Sequence, residues 1–112
     1  METIKSSAEI SNIFSHGKRY KTRDIVFVVL RKEEQHGHKG RVAFIAGKKL
    51  GNAVWRNRAK RRMRSVYRDL DVPLDDFDTL FVARSPLIDS AYRDVVNRAE
   101  KALCRINTVI DD

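Results

Sequence analysis

The sequence KKLGNAVWRNRAKRRMR, residues 48–64, decides the fold of this chain together with its continuation to Leu70. Asn52 is a favourable helix N-cap, because its side-chain oxygen can accept a hydrogen bond from a free amide of the first turn. Apolar residues then recur every three or four positions, at Trp55, Ala59, Met63, Val66 and Leu70. This spacing places them on one side of a helix. The sequence therefore predicts a helix over residues 52–70 that packs on a core along this stripe and exposes basic side chains elsewhere.

Shorter apolar runs on both sides of this helix predict β-strands. Residues 25–30 and 42–46 are rich in β-branched and aromatic side chains, which favour strands, and we expect them to form an antiparallel pair. Residues 77–83 predict a third strand after the acidic turn that ends the basic helix.

Two further helices flank these elements. Ser6 and Glu9 have the spacing of a capping box, so a first helix is expected to begin there and to end at Gly17. Asp89 or Ser90 is expected to cap a last helix. The order α-β-β-α-β-α predicts an α+β sandwich with helices packed on a small mixed sheet.

The positive charge of the chain is concentrated in one segment. The 112 residues carry 23 Lys and Arg against 15 Asp and Glu, for a net charge of +8. Residues 48–68 contain 9 of the basic residues and no acidic one, which leaves 14 basic against 15 acidic residues elsewhere. A polyanion such as nucleic acid is the economical partner for this segment. The alternative, a solvated helix face, normally mixes charges of both signs.

The length and composition predict one domain over residues 1–112. We expect it in the cytoplasm and away from membranes, because the sequence contains no run of about 20 apolar residues and no apolar signal segment. Its single cysteine, Cys104, fits a reducing compartment.

No catalytic or metal-binding constellation is evident in the sequence. His36 and His38 are interpreted as part of a solvated turn, since no second ligand cluster accompanies them. Asp75, Asp76 and Asp78 lack the spacing of a calcium loop and are interpreted as a solvated acidic turn. We therefore expect neither catalytic nor metal-ligating residues in the protein itself.

The basic segment resembles the signature of the bacterial ribonuclease P protein, whose core is an Arg-Asn-Arg element found here at Arg56-Asn57-Arg58. The resemblance extends to residues 10–17 and 81–86, and residues 5–106 can be placed in order. It implies a protein subunit that binds a catalytic RNA and the 5′ leader of precursor tRNA, and assists endonucleolytic 5′ maturation. It also implies that the RNA performs the hydrolysis with Mg²⁺ held mainly by RNA, and that no DNA is bound. A left-handed β-α-β crossover is expected from strand 42–46 to strand 79–83.

Two sets of residues are expected to contact RNA, and the resemblance implies the first set and, in the second, Phe14. The first set contacts RNA from the basic segment and comprises Lys48, Lys49, Asn52, Arg56, Asn57, Arg58, Lys60, Arg61, Arg62 and Arg64. The second set is expected in the cleft that holds the leader and comprises Phe14, Arg19, Arg23, Phe27 and Val28. Arginine suits RNA because its planar guanidinium binds phosphate through two hydrogen bonds and can stack on bases.

Several alternatives remain at this point. Phe14 shares an apolar stripe with Ile10 and Ile13, so it could be a core residue or stack on RNA. The basic run of residues 18–23 could follow leader phosphates or be a solvated loop. The protein could also be a noncatalytic RNA-binding protein of another ribonucleoprotein, such as the ribosome, or a DNA-binding protein that inserts the basic helix in the major groove.

Overall fold

The basic helix forms as predicted. In the computed structural model, which describes residues 3–31 and 40–106, helix α2 spans Ala53–Asp69. The side chain of Asn52 caps it by accepting a hydrogen bond from the amide of Trp55 at 2.9 Å. Ala59, Met63 and Val66 are fully buried, so the predicted stripe is the side of α2 that packs on the sheet.

The other helices are α1, Ser7–His16, and α3, Tyr92–Leu103. Ser6 caps α1 through the amide of Glu9, as predicted. The predicted cap of α3 is wrong, because the N-cap residue is Ala91 and no side chain caps it. The hydroxyl of Ser90 instead donates to the carboxylate of Asp24 at 2.5 Å, a residue too distant in sequence to be anticipated.

The strands are β1 (Lys18–Lys21), β2 (Ile25–Arg31), β3 (Val42–Ile45) and β4 (Phe77–Ala83). They form one mixed sheet in the order β1-β2-β4-β3. This confirms the α+β class and the mixed sheet, with β1 as an additional strand. A short 3₁₀ helix over Lys48–Leu50 joins β3 to α2.

Two expectations about the sheet are wrong. β2 and β3 do not pair, because β4 lies between them, antiparallel to β2 and parallel to β3. Strand periodicity marks a strand but does not name its partner. The basic run of residues 18–23 was expected to be a loop in one alternative, yet residues 18–21 form the edge strand β1. Its side chains are too polar to show the usual strand pattern.

The crossover from β3 through α2 to β4 is left-handed, as the resemblance implied. Consider the sheet viewed from the α2 side, with β3 and β4 running upward. In this view, any L-amino acid of a strand whose side chain points toward the viewer has its backbone N–H pointing to the right. Thr79 lies on the same side of β4 as Phe77 and Phe81, the side that faces α2, and its amide donates to the Arg41 carbonyl just before β3. β3 therefore lies to the right of β4. The connection through α2 passes in front of the sheet from right to left, which is the left-handed sense. About 98% of such connections have the opposite hand.

The sheet separates two hydrophobic clusters. On one side, α2 and α3 cover Ile25, Phe27, Val29, Phe44 and Phe81. On the other side, α1 covers a smaller cluster that comprises Ile4, Ile13, Val28, Ala43 and Leu80. Side chains of β2 thus alternate between the clusters, and on the α1 side Val26, Val82 and Ile45 are only partly buried among the described residues.

Candidate nucleic-acid interface

The outer surface of α2 presents the cations that the sequence predicts for RNA contact. We call this surface the basic face. Its exposed members are Lys48, Lys49, Asn52, Asn57, Arg58, Arg61 and Arg64. Arg56 and Lys60 are partly buried at its margin. Within residues 3–31 and 40–106, none of these cations forms a salt bridge with an acidic side chain, so their charge is available to phosphates.

Arg62 differs from the other arginines of α2. Its Nη1 donates to the carbonyl of Ile88 at 2.9 Å and to that of Leu87 at 3.4 Å. Its guanidinium also lies 5.5 Å from the centre of the Tyr92 ring. Arg62 is thus partly buried and connects α2 to the segment before α3. The resemblance assigned Arg62 to RNA contact and did not indicate this structural role.

A groove of about 470 Å³ runs between α2 and α3 beside Arg62. Arg58, Arg61 and Arg68 line it from α2, and Tyr92 lines it from α3. The Tyr92 hydroxyl donates to the carboxylate of Asp69 at 2.5 Å. Burial and this hydrogen bond raise the pKa of Tyr92 to about 12, so the hydroxyl stays protonated and neutral at ordinary pH. The groove is basic because four arginines and one carboxylate line it, and it extends the basic face toward α3.

The second predicted site is a cleft between α1 and the sheet. Directly under α1, Val28 and Leu80 are fully buried. The next row of side chains on the same side consists of Val26, Val82 and Ile45, which are neighbours across β2, β4 and β3. All three are partly exposed and pack against the smaller cluster. They form a shallow apolar floor beside α1, which we call the cleft floor.

Phe14 and Arg19 form the wall of this cleft. Phe14 is partly buried and packs against the cluster under α1. The Arg19 guanidinium lies 5.9 Å from the centre of the Phe14 ring, and its Nη2 donates to the Phe14 carbonyl at 3.5 Å. The ring therefore has both a packed side and an accessible side. Packing in the core and stacking on a base are compatible here, so both alternatives for Phe14 remain.

The structure does not bring the other predicted cleft residues to this wall. Phe27 is fully buried on the opposite side of the sheet, in edge-to-face contact with Phe81, so it is not a cleft residue. Val28 is on the correct side, but α1 covers it completely. Arg23 is exposed but lines a depression formed with Pro86 and Asp94 at the start of α3.

Sequence reasoning did not name the three residues of the cleft floor as site residues. Alternation along β2 does place Val26 on the same side as Val28. Whether α1 covers Val26 or Val28 depends on where the helix packs on the sheet, and no local sequence pattern specifies that position. Val82 and Ile45 could not be joined to Val26 without the strand order.

The basic face and the cleft meet at the end of β3. Ile45, the last residue of β3, contributes to the cleft floor. Gly47 is the N-cap of the 3₁₀ helix that begins at Lys48, so only two residues separate Ile45 from Lys48, the first cation of the basic face. A single RNA chain can therefore touch both surfaces without crossing a helix.

The acidic residues considered for a cation do not form such a site. Asp78 accepts hydrogen bonds from the backbone amide and the guanidinium of Arg41, which also pairs with Glu9. Across residues 3–31 and 40–106, no group of three or more His, Cys, Asp or Glu side chains is arranged to hold a metal ion. The turn with His36 and His38 lies outside the described residues. In the same ranges, no helix is both long enough and apolar enough to span a membrane.

Comparison with known proteins gives a consistent result. The family model described as Ribonuclease P matches residues 1–107. A ribonuclease P protein component of Streptococcus agalactiae is 38% identical over 90 residues, covering 80% of each chain. One from Shouchella clausii is 34% identical over 103 residues, covering 91% of this chain and 83% of the relative.

Solved structures resemble this fold over nearly its whole length. The RNase P protein of Staphylococcus aureus superposes with a TM-score of 0.74 at 27% identity, covering 92% of this chain and 93% of that one. The RNase P protein of Thermotoga maritima superposes with a TM-score of 0.77 over 94% and 97% of the two chains. At 21% identity, the second likeness concerns the fold alone.

Proposed function

Because the chain belongs to the ribonuclease P protein family, whose role is that of the protein component in tRNA 5′ processing, we propose how its two surfaces divide the work. The basic face binds the RNA partner of the complex. The α1 cleft binds the single-stranded 5′ leader of precursor tRNA. The ribosomal and DNA-binding alternatives gain no support from the family, the relatives or the structures named above.

The observation that carries this proposal is the junction of two chemically different surfaces at the end of β3. The basic face offers many cations that no acidic side chain of the described ranges pairs with, and these suit the dense phosphates of a folded RNA. The cleft floor offers apolar side chains beside the Phe14 ring, which suit unpaired bases. A substrate bound across the junction would have its structured part near the catalytic RNA and its leader in the cleft.

Leader binding in this cleft is expected to have little sequence preference. The floor residues Val26, Val82 and Ile45 are aliphatic, so they can contact any base without reading its edges. Phe14 is the aromatic ring of the wall, and Ile10, one turn before it on α1, is aliphatic. Affinity would come from one stacked base and from cations such as Arg19 at the rim.

We place the hydrolytic chemistry in the RNA partner, with Mg²⁺ held mainly by RNA. The described acidic residues do not fit a magnesium cage, since Asp78 is occupied by Arg41. The protein contributes by neutralising phosphates, which otherwise repel one another when substrate and catalytic RNA approach. Cations of the basic face can replace part of the screening that free Mg²⁺ supplies. Because the substrate is newly made tRNA, the site of action would be the cytoplasm.

Reconstitution tests the proposal. The protein, the cognate RNA and the assembled complex are each incubated with precursor tRNA over a series of Mg²⁺ concentrations, and 5′ cleavage is measured. The complex should cleave at lower Mg²⁺ than the RNA alone, and the protein alone should not cleave. Cleavage by RNA-free protein that is lost on replacing one of its carboxylates would contradict the assignment of chemistry to RNA.

A further inference from the structure

A second basic surface lies on the other edge of the sheet, between β1 and α3. The groove there has a volume of about 550 Å³. Its lining includes Lys18 and Tyr20 of β1, and Arg98, Lys101 and Arg105 in or just after α3. We call it the β1–α3 groove. It is separate from the basic face, since no residue of α2 lines it.

The charge of this groove is created by the fold. Residues outside 48–68 are almost neutral in sum, yet the lining residues of the groove include no acidic side chain. Arg98 and Lys101 are three positions apart and lie along one side of α3, and Arg105 follows just after the end of the helix. Across from them stands Lys18, with its ammonium 5.8 Å from the centre of the Tyr20 ring.

In the described part of the chain, one of these cations is neutralised. Arg98 donates from Nε to the buried carboxylate of Asp24 at 2.7 Å. Among the described residues, Lys18, Lys101 and Arg105 form no salt bridge, and all three are exposed. Three unneutralised cations around one concavity repel one another, which makes the groove a favourable place for the phosphates of a polyanion.

The groove is a continuation of the α1 cleft around the edge of the sheet. The row of the cleft floor runs from Ile45 through Val82 and Val26 to Lys21, its neighbour on β1. Lys21 and Arg19 point to the α1 side of this edge strand, whereas Lys18 and Tyr20 point to the α3 side. A chain that leaves the cleft over β1 therefore passes Lys21 and reaches the groove.

The two ends of the cleft floor are not equivalent. The Ile45 end adjoins Lys48 and the basic face, where the RNA partner is proposed to bind. The Lys21 end is the far end, about 14 Å away across four strands. In a leader bound along the floor, the nucleotides next to the cleavage site lie at the first end, and the more distant nucleotides lie at the second.

We propose that the β1–α3 groove binds the backbone phosphates of the leader nucleotides farthest from the cleavage site. This inference rests on the proposed function of the α1 cleft and extends the leader path beyond it. The recognition is electrostatic and independent of sequence, because the exposed groups are flexible cations. The groove thus makes affinity depend on leader length.

The test compares two precursor tRNAs in the reconstituted complex. One has a leader just long enough to cross the cleft floor, and the other has a leader several times longer. The variant is Lys101→Ala with Arg105→Ala, which leaves Arg98 and its ion pair with Asp24 intact. The matched control is Arg31→Ala with Arg93→Ala, which removes two exposed cations that do not line the groove.

For the groove variant, affinity for the long-leader substrate should fall and its log–log salt dependence should become shallower by about 1.4, which is 0.7 for each lost single-strand phosphate contact. The short-leader substrate, the RNA subunit and the control variant should show no such change. Melting curves of both variants should match that of the wild type.

Two results would overturn the inference. Equal weakening for long and short leaders, or weaker binding of the RNA subunit, would assign the groove to another part of the RNA. An unchanged affinity and salt slope for the long leader would make it a solvated surface. The proposed function fails separately, if the wild-type complex does not cleave either precursor.

Discussion

Arginines of one helix should separate into two functional classes when they are replaced by alanine. Arg58 and Arg61 are exposed and form no described salt bridge. The double variant Arg58→Ala with Arg61→Ala should therefore change the free energy of unfolding by about 0.5 kcal/mol or less. It should instead weaken RNA binding and make its log–log salt slope shallower by about 1.8, at 0.9 for each phosphate contact in a duplex.

Arg62→Ala should have the opposite signature. The variant loses charge-assisted hydrogen bonds to the carbonyls of Ile88 and Leu87 and the contact with the Tyr92 ring. Such a hydrogen bond contributes about 1.5–3 kcal/mol and an exposed cation–π contact about 0.5–1 kcal/mol. Since Arg62 is only partly buried, we expect a total loss of about 2 kcal/mol, or roughly 8 °C in Tm.

Thermal melting and RNA binding at several salt concentrations check both variants side by side. The reasoning is refuted if the Arg58 and Arg61 double variant melts as early as Arg62→Ala. It is also refuted if the salt slope of the double variant equals that of the wild type, because the RNA surface must then lie elsewhere.

Further substitutions test the cleft and the core. Phe14→Ala should reduce affinity for leader-bearing precursor tRNA by about 1–3 kcal/mol if a base stacks on the ring, with mature tRNA unaffected; a lower Tm with no leader-specific loss would instead identify a core residue. Gly17→Ala should destabilise the protein by about 1–3 kcal/mol, because the added Cβ would lie 2.6 Å from the Ile13 carbonyl; an unchanged denaturation midpoint would contradict this. Burial alone would raise the pKa of the Asp24 carboxyl, but hydrogen bonds from Arg98 and Ser90 outweigh this effect and hold the pKa below its ordinary value of 3.8. The ionised Asp24 carboxylate therefore stabilises the folded state fully above pH 3.8, and this stabilisation is lost as the pH falls through the lower pKa of the folded state. The unfolding free energy of the wild type should fall more steeply with acid than that of Asp24→Asn, and parallel profiles would exclude this role.

Features that depend on near neighbours in sequence were predictable. The N-cap at Asn52 and the stripe of α2 follow from hydrogen bonding and periodicity within about two turns of helix. The same holds for the cap of α1 at Ser6 and for the alternation of side chains along β2. Exposure of Arg58, Arg61 and Arg64 on α2 follows too, because cations placed away from a single apolar stripe turn to solvent.

Features that join distant residues were not predictable from these patterns. Phe27 and Val26 are adjacent and both apolar, yet only Val26 reaches the cleft, because α2 and α3 cover one side of the sheet and α1 covers part of the other. Arg62 could not be distinguished from Arg61 by charge, since its partners belong to the segment before α3.

By itself, the sequence determined that this chain forms an α+β domain with a cation-bearing helix and resembles a family of RNA-binding subunits. The tertiary structure alone decided that β4 lies between β2 and β3, and that Lys18 faces Lys101 and Arg105 across a groove. The physical reason is that helix and strand periodicities are set by local backbone geometry, whereas strand order and grooves arise from packing between residues far apart in the chain.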